Sequence, residues 1–176
     1  MVGSVSADSV IRGAIDCPAI IGKLPAHGDF IARGIDYSAR EPLDRWMSSW
    51  VELAREQLGN GFDEAYETAA PWLIEGPRCN AVLMPSVDAV GRVFPVLAVS
   101  DATCHIQAIY DALIEALGQG VTVDVLREAL GRAGDDGEVS EQPESLGDWF
   151  LPDGAEKALP SPSEAPGWAQ IRVHLA

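Results

Sequence analysis

Two short apolar runs, Asn80–Pro85 and Arg92–Ser100, flank the stretch Ser86-Val87-Asp88-Ala89-Val90-Gly91. Runs of this length bounded by turn formers predict strands, and a five or six residue connection predicts an antiparallel hairpin. A strand apolar along most of its length must be covered, so the hairpin reads as the centre of a sheet with other elements packed on it. A third compact run, Ala19–Leu24, is closed by Pro25 and Gly28. It predicts a short buried strand, Ile20–Leu24, that delivers its end into a tight loop, Pro25–Asp29.

The covering elements carry helical period. Over Pro42–Leu58 the residues Leu43, Trp46, Met47, Trp50, Leu53, Ala54 and Leu58 recur at steps of three and four, with Asp44, Arg45, Ser48, Glu52 and Arg55 opposite. Proline is tolerated in a first turn and Gly59-Asn60-Gly61 ends the pattern, so a helix is predicted between them. Further helices are predicted over Asp63–Ala69, over Thr103–Leu117 with Gly118 as the stop, and over Thr122–Leu130 with Thr122 or Asp124 as the cap. Trp46, Trp50, Trp72 and Phe94 read most simply as core. Trp72 follows Pro71 in what reads as an extended connection, and it is the tryptophan that would be the exception, an exposed interface anchor. The predicted architecture is a single α+β domain, a mainly antiparallel sheet with flanking helices, joined by C-terminal strands Ser145–Leu151 and Trp168–Leu175.

Length and charge narrow the function. One core is expected from 176 residues. The 27 Asp and Glu outnumber 12 Lys and Arg, giving a net charge of −15, and such a surface repels phosphate backbones and anionic lipid. Nucleic-acid partners and membrane insertion are not expected. Residues 1–16 read as a flexible N-terminal arm and 17–176 as the domain, with an acidic, loop-rich segment at 134–167. Cys17, Cys79 and Cys104 are odd in number and widely spaced, which fits a reducing compartment, and no secretory signal is evident, so a cytoplasmic location is expected.

The usual catalytic constellations do not assemble from the sequence. Ser86, Asp88 and His27 have the residue types of a triad, but no nucleophile elbow surrounds Ser86. The three cysteines and His105 lack the closely spaced pairs of a structural zinc site. Gly22-Lys23 is followed by Leu24 where a P-loop needs Ser or Thr. No catalytic residue, metal ligand or cofactor is assigned.

Two strings remain: Gly22-Lys23-Leu24-Pro25-Ala26-His27-Gly28-Asp29-Phe30, and Met84-Pro85-Ser86-Val87-Asp88-Ala89-Val90-Gly91-Arg92-Val93-Phe94-Pro95. With the helix start Glu41-Pro42-Leu43-Asp44-Arg45-Trp46 between them, the chain resembles the TagF family of type VI secretion system-associated proteins. The likeness covers about Ile21–Ser100. It weakens at Ser145-Leu146-Gly147-Asp148-Trp149-Phe150, where the family carries a Ser-Leu-Trp-Trp-like segment.

The resemblance implies a non-enzymatic, cytoplasmic, post-translational repressor of type VI secretion. Its implied partner is a forkhead-associated (Fha) scaffold protein, in a pathway that also involves a threonine kinase and phosphatase. From the residues themselves, the structural expectation is that Gly28 and Gly91 form turns, Asp29 and Asp88 accept backbone hydrogen bonds, and Lys23 or Arg92 pairs with a carboxylate. The functional expectation is that the two loops share one partner-binding surface containing Lys23, His27, Asp29, Arg33, Asp88 and Arg92, with Trp72 as a further anchor. Other functions compatible with the sequence are a small hydrolase or phosphatase-linked subunit using His27 or Asp29, and a longin-like adaptor in another pathway.

Overall fold

A computed structural model of the chain describes residues 15–69, 71–75 and 79–133. Five strands form one antiparallel sheet: β1 (Ile15–Gly22), β2 (Ile31–Ile35), β3 (Trp72–Glu75), β4 (Cys79–Met84) and β5 (Val96–Asp101), in the order β2-β1-β5-β4-β3. The helices are α1 (Tyr37–Leu58), α2 (Phe62–Thr68), α3 (Ile106–Gln119) and α4 (Val123–Ala133), with a 3-10 turn at Gly59–Gly61 between the first two. The expected α+β class and antiparallel sheet are therefore present. No helix among the described residues is long and apolar enough to cross a membrane.

Register shows how the layers are built. Trp72 lies opposite Leu83, Leu83 opposite Leu97, and Leu97 opposite Ile21, so these side chains share one face of the sheet. Trp72 there meets Trp50 edge-on at 4.0 Å between centroids and Trp46 at 6.2 Å, which places α1 on that face. Arg33 belongs to the opposite face, where it faces Asp124 of α4. The middle strands are buried over most of their length because both faces are covered there: Ala19, Ile20 and Ile21 of β1 and Ala81 to Met84 of β4 are all core. Alternation of polar and apolar residues is accordingly missing from these strands, as expected of sheets enclosed on both sides.

Several boundaries differ from the sequence reading, each for an identifiable reason. Helix α1 starts at Tyr37 rather than Pro42, because the Asp36 carboxylate accepts hydrogen bonds from the backbone N–H groups of Ser38 and Ala39 at 2.8 and 3.1 Å and caps the end. Strand β1 takes in Ile15 and Asp16, two residues assigned to the arm, and stops at Gly22 before Leu24. Gly118 does not stop α3; the helix continues to Gln119 and ends on Gly120, whose φ of 63° supplies the left-handed turn. Its start is Ile106, since Asp101–Cys104 is a turn closed by the Cys104 N–H on the Asp101 carbonyl. Helix α4 starts one residue late and extends to Ala133.

Strands β2 and β3 were not foreseen. They are the two edges of the sheet, with five and four residues respectively in short polar or proline-flanked contexts that carry no clear period. The central hairpin is real, but its second strand begins at Val96, and Arg92–Pro95 belongs to the connection. The predicted strands Ser145–Leu151 and Trp168–Leu175, and the acidic segment 134–167, lie outside the described residues.

Candidate functional site

The two sequence strings occupy one end of the sheet. Gly22 at the end of β1 pairs with Val96 at the start of β5, which in turn pairs with Met84 at the end of β4, so both loops leave from the same place. Gly22 makes that approach possible: its φ is 127°, and a Cβ there would lie 2.1 Å from the Pro95 carbonyl oxygen. No L side chain fits against backbone at that distance.

Asp88 is the centre of the junction. Its side chain has no exposed surface, yet it accepts from four donors. Oδ1 accepts from the backbone N–H of Val90 at 3.1 Å and of Arg92 at 2.9 Å, and Oδ2 accepts from Lys23 Nζ at 3.0 Å and Arg92 Nε at 2.6 Å. Burial alone would raise the carboxyl pKa, but the Arg92 N–H, the Lys23 ammonium, the Arg92 guanidinium and the Val90 N–H together hold it well below the usual carboxylate range. A turn is closed around it by Gly91 N–H on the Asp88 carbonyl and Asp88 N–H on the Arg92 carbonyl, at 2.9 and 3.1 Å. Gly91 has a φ of 81°, the conformation that this turn demands.

Further bonds join the strings. Arg92 donates through its terminal guanidinium nitrogen to the Gly28 carbonyl at 2.6 Å, Ala89 N–H to the His27 carbonyl at 2.8 Å, and Ser86 Oγ to the Lys23 carbonyl at 2.6 Å. Phe30 and Phe94, the aromatic residues near the end of each string, pack edge to face at 5.5 Å. Tyr66 of α2 reaches in from the side. Its hydroxyl donates to the Ser86 carbonyl at 2.8 Å and accepts from the Ser86 N–H at 2.9 Å, and burial raises the pKa of the phenol. Beside this junction runs a groove of about 320 Å³ walled by Pro25, Tyr66, Pro85, Val87, Val93 and Leu117.

His27 connects the junction to the last described helix. Its Nε2 accepts the Val123 N–H at 2.9 Å, so the imidazole caps the first turn of α4 from 96 residues away in sequence. Arg33 reaches the same helix end, with its Nε 3.9 Å from the exposed Asp124 carboxylate.

Six of the seven residues proposed from sequence are thus brought to one region. Their exposure differs from the expectation. Asp88 is sealed, Lys23 keeps 16% of its side-chain surface, and His27 is half-buried with its Nε2 engaged, so these three are structural. Asp29, Arg33 and Arg92 are exposed. Trp72 takes the core reading and not the anchor one: it is 1% exposed and packed edge-on against Trp50 of α1, because the segment read as a connection is edge strand β3. Val90, which sequence reasoning passed over, stands 73% exposed at the tip of the turn. The signal available was an apolar residue placed between the Asp88 acceptor and the Gly91 turn, where nothing can cover it.

The geometry also answers the triad question. The Ser86 hydroxyl is directed at a carbonyl, His27 at a helix N-terminus, and Asp88 at two cations, so these groups do not hydrogen-bond one another in sequence. Among the described residues, no cluster of three or more His, Cys, Asp or Glu side chains could hold a metal ion.

Residues 19–133 match the family model described as the TagF N-terminal domain, type VI secretion system-associated. The chain belongs to that family. The match extends past Ser100 through α3 and α4, the helices that the junction and the sheet hold, and stops where the described residues stop. Among solved structures, the chain is similar to PA0076 from Pseudomonas aeruginosa PAO1, with 26% identity and a TM-score of 0.56. That similarity covers 65% of this chain and 61% of PA0076, so the chain spans about three fifths of the length of that neighbour. No curated protein matches.

Proposed function

We propose that this TagF-family chain is a non-enzymatic, post-translational repressor of type VI secretion that works in the cytoplasm by binding a forkhead-associated scaffold protein. The observation that carries the reading is the use made of the motif residues within a type VI secretion-associated family. Lys23, Ser86 and Asp88 are spent on holding two loops together and His27 on capping α4, and what the loops then present is a rim of Asp29, Val90 and Arg92. A buried, charge-compensated junction that displays one exposed apolar residue between opposite charges has the form of a contact surface. The acidity of the whole chain adds long-range attraction to a basic face on the partner.

The test is binding of the purified full chain to a purified forkhead-associated scaffold protein, measured at low and moderate salt. Asp29→Lys and Val90→Asp should each weaken binding at least tenfold with unchanged melting, since neither side chain enters the hydrogen-bonded junction. Binding should also weaken as salt rises. No binding by the wild-type chain at micromolar concentrations overturns the scaffold assignment.

A further inference from the structure

We propose that Cys17 and Cys79 are an oxidative modification site, a thiol pair that closes to a reversible disulfide when it meets a low-molecular-weight disulfide. The inference is independent of the repressor reading. The sulfurs are in contact at 3.7 Å although the residues lie 62 positions apart. Their strands are not neighbours, since β5 runs between β1 and β4, so the contact spans a strand and is not a by-product of pairing. Cys79 is opposite Asp101, the last residue of β5, and the two thiols meet at that end of the sheet.

A disulfide holds its sulfurs about 2.05 Å apart, so closure brings the sulfurs together by under about 2 Å and draws the facing ends of β1 and β4 inward. Both cysteines are half-buried, open enough for a small reagent. The third is different: Cys104 is fully buried, its sulfur rests 3.8 Å from the His105 carbonyl, and burial raises its pKa. It serves as an internal control.

The exchange balances in two steps. The Cys79 thiolate attacks one sulfur of the small disulfide, forming a mixed disulfide and expelling one small thiolate, which takes up the proton that Cys79 released. Cys17 then loses its proton and attacks Cys79 Sγ, expelling the second small thiolate, which is protonated in turn. Two protein thiols are oxidised by two electrons, and the small disulfide is reduced to two thiols. The hydrogen bond with Cys79 and then burial raise the pKa of Cys17, so thiolate is scarce near neutral pH and the reaction is faster in alkali; the two steps balance equally with the cysteines exchanged. Closure ties the start of β1 to β4 and restricts the intervening chain in the unfolded state.

Reduced full-length protein, incubated with oxidised glutathione near pH 8 under native conditions and then alkylated and mapped by mass spectrometry, tests this. A Cys17–Cys79 cross-linked peptide with Cys104 still free is expected. The melting midpoint should rise by roughly 5–10 °C and return on reduction. Cys17→Ser and Cys79→Ser should each abolish the rise, and Cys104→Ser should keep it. Three free thiols, a persistent glutathione adduct, or a cross-link through Cys104 in the wild-type protein overturns the proposal, and these readouts need no variant to fold.

Discussion

Replacing Tyr66 by Phe removes one oxygen and leaves the ring packed. The phenol is 2% exposed, and its hydroxyl is bonded to both backbone groups of Ser86. The carbonyl loses little, because the Phe94 N–H already donates to it at 3.1 Å. The Ser86 N–H has no such reserve, and an orphaned buried donor costs about 1–3 kcal/mol. The groove beside Tyr66 admits water, which offsets part of that cost, so an expected loss is roughly 1.5–2 kcal/mol. With a urea m-value of about 2 kcal/mol/M for a domain of this size, the unfolding midpoint should fall by about 0.7–1 M with the slope unchanged. Tyr37→Phe, at a side chain 80% exposed, is the matched control and should not move it. A Tyr66→Phe midpoint within about 0.2 M of wild type would show that the hydroxyl does not brace the Ser86 turn, and the account of the junction would have to be rebuilt.

Three further outcomes separate the roles assigned above. The folded-state pKa of Asp88 is depressed, so its stabilising contribution is present above the unfolded value near 4 and is lost as pH falls through the folded one; the stability gap between wild type and Asp88→Asn should therefore be wide at pH 7 and shrink progressively below pH 4 in denaturant melts. His27→Ala should destabilise by about 0.5–2 kcal/mol and speed amide exchange in the first turn of α4 selectively, whereas uniform acceleration across the helices would contradict the capping role. Trp72→Ala should cost about 3–5 kcal/mol in unfolding experiments, a core-sized loss; a fully stable variant defective only in binding would restore Trp72 to the surface.

How much of this was legible in the sequence depended on the range of the interaction involved. Helix α1 and the central strands announced themselves because their apolar patterns are local, and burial of both sheet faces gives β4 and β5 the unbroken apolar runs Ala81–Met84 and Val96–Val99. The edges did not: Ile31–Ile35 contains Arg33 and Gly34, and strand identity there comes from pairing with β1, a tertiary fact. The motif strings were visible as strings, with Asp88 and Gly91 readable as turn formers. Nothing local tells which of Asp29 and Asp88 is buried, since that is decided by where Lys23 and Arg92 converge. The choice between core and anchor for Trp72 is open in the sequence for the same reason, its environment being supplied by Trp46 and Trp50 from a distant helix.

The His27 bond to Val123 has a temporal meaning as well as a structural one. Contacts distant in sequence wait for the chain between them, and loop closure over such separations is slow relative to local helix formation. During synthesis the first string leaves the ribosome early, the Asp88 turn follows, and the cap that locks His27 cannot exist until Val123 has emerged. The imidazole of His27 therefore takes up its final bond only after the chain has been made through the start of α4, so the junction and that helix become one unit last.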